Sequence, residues 1–89
     1  MSKQEELDLE AYVSEEEVFT GVVAWFHIER GYGFIEWEKE GAKQKDMFCH
    51  FSDIDIDGFK LLKGGQTVSF SIGSNNAGVP KATNVKIIR

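Results

Sequence analysis

The run Arg30-Gly31-Tyr32-Gly33-Phe34-Ile35-Glu36-Trp37 constrains the fold more than any other stretch of the chain. On a β-strand, side chains alternate between two faces, so Tyr32 and Phe34 share one face and Ile35 takes the other. A small barrel buries only one face of its sheet, and the aliphatic Ile35 is the natural core residue. The two rings are then left facing water, which is costly unless something flat lies on them. Met47-Phe48-Cys49-His50-Phe51 repeats the alternation, setting Phe48 and His50 on one side and Cys49 on the other. Nucleobases are flat, and stacking on exposed rings is how single strands are held without reading their sequence.

Around these two runs the pattern is one of short strands between turn residues. Strands are predicted over Val18–His27, Tyr32–Trp37, Met47–Phe51, Gln66–Ile72 and Lys81–Ile88. Glu38–Lys45, charged and containing Gly41, reads as a solvated loop. Gly64-Gly65 and Ser74-Asn75-Asn76-Ala77-Gly78 read as turns into the last two strands. Pro80 has no N–H for a ladder and belongs at a strand start or an edge. Five short strands without a long helical pattern predict an all-β domain, a small closed or partly open antiparallel barrel. Phe70 and Trp37 are its expected core aromatics.

A chain of 89 residues makes one domain, here expected over residues 18–89, with residues 1–17 as an acidic N-terminal extension. Ser14 and Glu17 match a capping box, but the β-branched stretch that follows is a poor helix. The net charge of −5 argues at first against a polyanionic ligand. It is unevenly spread: residues 1–17 hold Lys3 against seven carboxylates and carry −6, which leaves +1 on residues 18–89. That removes the objection without creating a basic patch, so binding must rest on stacking more than on phosphate neutralisation. The acidic extension reads as a solubilising arm, or as a competitor of nucleic acid for the Arg30–Lys60 side. A lone cysteine, Cys49, excludes an internal disulfide and fits a reducing compartment. No apolar run is long enough to cross a bilayer and no signal-peptide pattern is present. The expected location is the cytoplasm, with no membrane partner.

Other motifs have plainer roles. Asp53-Ile54-Asp55-Ile56-Asp57-Gly58 matches the first half of a calcium loop. Its twelfth position, however, is Gly64 rather than glutamate, and a solvated turn is the simpler reading. Cys49 and His50 are adjacent on a strand and point to opposite faces, and neither they nor His27 complete a metal or nucleophile site. Gly31 and Gly33 lack the third glycine or lysine of a phosphate loop. They are expected to leave the backbone bare so that bases reach the neighbouring rings. No cofactor is expected and no catalytic constellation stands out.

Gly21-Val22-Val23-Ala24-Trp25-Phe26, Gly31-Tyr32-Gly33-Phe34-Ile35, Phe48-Cys49-His50-Phe51-Ser52 and Gly58-Phe59-Lys60 together resemble the cold-shock domain, in order and in spacing. Val68-Ser69-Phe70 and Ala82-Thr83-Asn84-Val85 look like its last two strands. The resemblance covers roughly residues 18–88. It implies a five-stranded antiparallel OB-fold barrel that binds single-stranded RNA and DNA and works as an RNA chaperone. The family's stacking positions map onto Trp25, Tyr32, Phe34, Phe48, His50, Phe51 and Phe59, with Phe26 beside them. Its basic position before the first motif is Arg30, its acidic position before the second is Asp46, and Lys60 follows the loop aromatic. Ala24 stands where a lysine commonly precedes the Trp-Phe pair, His27 where a base-contacting Asn is frequent, and Cys49 where a core valine is usual.

The resulting expectation is a monomeric, non-enzymatic binder of single strands, acting as an RNA chaperone or a regulator of transcription or translation. The alternative is a protein-interaction module that docks a peptide on the same aromatic face, since an OB barrel alone does not fix function.

Overall fold

Six strands form from the alternating segments among the residues described in the computed structural model, 17–56 and 61–89. The expectations for residues 1–16 and for Asp57, Phe59 and Lys60 lie outside them. The strands are β1 (Phe19–His27), β2 (Tyr32–Lys39), β3 (Ala42–Lys43), β4 (Met47–His50), β5 (Thr67–Ser74) and β6 (Pro80–Ile87). All neighbours pair antiparallel, in the order β3-β2-β1-β5-β6, with β4 alongside the first half of β2. Beyond β4 the chain returns to β6, where Ile54 forms a parallel bridge with Val85 and the Asp55 N–H donates to the Val85 carbonyl at 2.7 Å. That return closes the sheet into a barrel, the fold expected from the sequence. No described helix is long and apolar enough to cross a membrane.

The inward side chains are Val23, Ile35, Trp37, Met47, Cys49, Ile54, Leu62, Val68, Phe70, Ala82 and Val85. β2 keeps strict period-two burial, with Gly33, Ile35 and Trp37 inside, and β4 does the same with Met47 and Cys49. Trp37 joins the core as expected. Its ring meets Phe70 edge-on at 5.6 Å and Phe19 at 5.0 Å, and its buried indole N–H donates to the Lys45 carbonyl at 3.0 Å.

Two local expectations are corrected. Glu38–Lys45 is a β-hairpin, not a solvated loop. β2 runs on to Lys39 and pairs with β3 through a turn in which Glu40 and Gly41 have φ of 54° and 82°, the positive dihedrals that match a hairpin to strand twist. The strand expected to include Phe51 stops at His50, and Phe51–Asp53 form one turn of 3₁₀ helix. Pro80, by contrast, opens β6 as a strand-start proline should.

Candidate nucleic-acid interface

Val23 and Trp25 are two residues apart on β1, yet Val23 is buried and Trp25 is 45% exposed. The cause is a β-bulge. Val23 opposes Ile35 and Trp25 opposes Phe34, so Ala24 is an extra residue in β1 with no counterpart on β2. One inserted residue exchanges the two faces of everything after it. Before the bulge the odd-numbered side chains point inward; after it Trp25 and His27 point outward, and Phe26 packs against the core.

The bulge completes an outward face of two rows. Trp25, Phe34 and Phe48 lie opposite one another across β1, β2 and β4, and His27, Tyr32 and His50 form the next row. Centroid separations are 5.4 Å for Trp25–Phe34, 5.8 Å for Phe34–Phe48, 5.7 Å for Tyr32–Phe48 and 5.8 Å for Trp25–Tyr32. Each ring therefore shields its neighbours, and Tyr32, Phe34, Phe48 and His50 are half-buried rather than fully exposed. Contacts of this kind, tilted or edge-on, hold the rings in place and leave π surface turned outward. Phe51, 45% exposed, continues the face from the 3₁₀ turn with its ring 4.5 Å from that of His50.

The polar members sit around these rings. His27 accepts a hydrogen bond at Nδ1 from the Arg30 N–H (3.1 Å), which ties down the β1–β2 turn. Arg30 and Asp46 are exposed, and Asp46 has Lys43 Nζ at 3.9 Å. Beyond Phe34 and Phe48 a groove of about 500 Å³ is walled by Val79 and Pro80, with Lys45, Asp46 and Asn75 at its lip. No sequence signal placed Asn75, Val79 or Pro80 beside the rings, because that depends on how the β5–β6 turn lies against β4. That turn is held by Asn75, whose Oδ1 accepts from the N–H groups of Ala77 and Val79 at 2.8 and 3.0 Å.

The two glycines serve packing instead of ligand access. A Cβ on Gly33 would lie 2.7 Å from the Phe26 Cα and clash with the Trp25 carbonyl, so Gly33 admits the bulged strand. Gly31, with φ of 76°, makes room for the Phe51 ring, 2.6 Å from where a Cβ would be. The Cys49 thiol lies in the core, where burial and then the negative charge of Asp53 push its pKa up to about 12. It points away from His50. The described part of the calcium-like run is engaged by lysines, Asp53 by Lys81 at 3.0 Å and Asp55 by Lys86 at 3.6 Å.

Comparisons with known proteins place the chain in a family. Residues 19–88 match the family model for the 'Cold-shock' DNA-binding domain. The chain is 49% identical over 69 residues to Cold shock-like protein CspA of Bordetella pertussis, covering 78% of this chain and 97% of that one. It is 53% identical over 66 residues to Major cold shock protein CspA of Bacillus cereus, covering 74% and 91%. Among solved structures, drosophila Unr CSD456 superposes with a TM-score of 0.64 at 24% identity, covering 93% of this chain and 32% of that one, a likeness of fold. On the family match and these identities, the chain belongs to the cold-shock domain family.

Proposed function

We propose that this protein binds single-stranded RNA and DNA in the cytoplasm as a monomer and acts as an RNA chaperone or a regulator of transcription or translation. The observation that carries the reading is the outward face itself. Trp25, Tyr32, Phe34, Phe48, His50 and Phe51 form one continuous set of rings on the side of the barrel that the core does not need. The membership of residues 19–88 in a family described as DNA-binding supports it. Stacking contributes about 1–3 kcal/mol per base, so three or four occupied rings, less ordering costs, give micromolar to nanomolar binding. Rings that hold unstacked bases trap the open strand of a weak hairpin and melt it without ATP. Trp25, His27, Arg30, Tyr32, Phe34, Asp46, Phe48, His50 and Phe51 carry this role from the described residues, and Phe59 and Lys60 join them on the sequence resemblance. Phe26 supports the face from beneath.

The test is a fluorescence titration with oligothymidine and with a duplex of equal length. Trp25 is the exposed indole, so the single strand should quench emission and the duplex should not. Equal response to both, or none to either, refutes the reading.

A further inference from the structure

Phe51 differs from the other rings of the face because no sheet ladder holds it. It sits on the single 3₁₀ turn Phe51–Asp53, which is bonded only at its margins. The Phe51 N–H donates to the Gly31 carbonyl (2.8 Å) and the Ile54 N–H to the Phe51 carbonyl (3.1 Å). His50 caps the turn, its Nδ1 accepting from the Ser52 N–H at 3.2 Å and lying 2.9 Å from the Ser52 hydroxyl. The orientations of the His50 and Phe51 rings therefore both depend on where this turn lies.

The last residue of the turn is Asp53. Its side chain is 17% exposed, its Oδ2 is cut off from solvent and accepts no hydrogen bond, and Lys81 Nζ from β6 stands 3.0 Å from that oxygen as its ion-pair partner. We infer that Asp53 and Lys81 are positioning residues for the His50–Phe51 end of the stacking face, an inference that rests on the single-strand reading above. The physical reason is the cost of a stranded charge. A carboxylate with one oxygen cut off from water is unfavourable once its counter-charge is removed. Residues 54 and 55 are already tied to β6 through Val85, so relief comes from the turn itself swinging outward. That motion takes Ser52 away from His50 Nδ1 and lifts Phe51 from its seat over Gly31. The Trp25, Phe34 and Phe48 row lies on sheet ladders and stays in place.

The experiment measures Trp25 fluorescence with a seven-residue oligothymidine for the wild type, Lys81→Met, Lys81→Arg, Phe51→Ala and Lys81→Met/Phe51→Ala. It also records the ¹⁵N signals of the His50 ring in the ligand-free protein. Lys81→Met should weaken binding about fivefold or more, the lower end of what one stacked base contributes, and Lys81→Arg should retain affinity. In the Phe51→Ala background the effect of Lys81→Met should shrink to the part that acts through His50, because the Phe51 contact is already removed. The Nδ1 signal of His50 should lose its hydrogen-bonded character in Lys81→Met. Effects that multiply in the double variant would show Lys81 acting on the ligand directly and overturn the inference, as would unchanged His50 signals in a folded Lys81→Met protein. Should Lys81→Met not fold, Lys81→Gln also leaves the Asp53 carboxylate without its counter-charge and must shift affinity and His50 signals in the same direction, or the inference fails. A wild type that does not bind the oligomer refutes the single-strand reading, and the His50 signals still decide whether Asp53 and Lys81 position the turn.

Discussion

Phe34→Ala isolates what the aromatic face contributes. Phe34 is the middle ring of the Trp25–Phe34–Phe48 row, 5.4 Å from one neighbour and 5.8 Å from the other, and its side of β2 faces away from the core. Removing it deletes one stacking platform, about 1–3 kcal/mol of binding, which corresponds to about 5- to 150-fold in Kd. The barrel loses only two outward ring contacts, each worth about 0.5–1.5 kcal/mol, because Ile35 on the inner side remains fully buried. Stability should thus fall by about 1–3 kcal/mol, short of unfolding. Oligothymidine titration reads the first quantity through Trp25, since Trp37 is buried at 7% exposure and bonded to Lys45. Urea unfolding reads the second. A folded variant that binds within twofold of the wild type would refute the stacking mechanism, and a variant that cannot fold would mean Phe34 is a core residue.

Gly33→Ala should destabilise the barrel by several kcal/mol in urea unfolding, since the new methyl meets the backbone of Trp25 and Phe26 rather than a movable side chain; a change below about 0.5 kcal/mol, within the range of an ordinary surface substitution, would contradict the close approach at the bulge. The Cys49 thiol, with its pKa raised from 9.0 to about 12, should resist a thiol-modifying reagent at pH 8 in the native protein and react once the chain is unfolded. Because the unfolded thiol ionises first, its contribution to stability is complete below pH 9.0 and is lost as pH rises towards about 12; the wild type should lose stability relative to Cys49→Val over that window, and parallel curves would contradict it. The logarithm of affinity should fall with the logarithm of salt at a slope of about −1.5 to −2, two or three phosphate contacts at about −0.7 each. Ala24 offers no cation beside Trp25, and a slope steeper than about −4 would show that electrostatics and not stacking dominates.

Much of this protein was legible in the residues. The alternation of Tyr32 and Phe34 against Ile35, and of Phe48 and His50 against Cys49, is a local property of an extended chain, so it assigned the core and the outward face before any partner strand was known. Glycine and proline likewise placed most of the turns through their own dihedral limits. Two-residue periodicity runs out wherever a contact far along the chain sets the phase. Two-residue spacing alone would put Val23 and Trp25 on one face, and only the absence of a β2 counterpart for Ala24 separates them. Gly31 and Gly33 read as openings for a ligand, and only the positions of Phe51 and Phe26 show that they admit the protein's own atoms. The Glu38–Lys45 hairpin and the 3₁₀ turn under Phe51 follow the same rule. Charged or polar residues there leave local propensity undecided, and ladder bonds between β2 and β3 and the lysine of β6 against Asp53 settle the backbone. Which way a side chain points in a strand is decided by the strand alone; whether the strand keeps its register is decided by its neighbours.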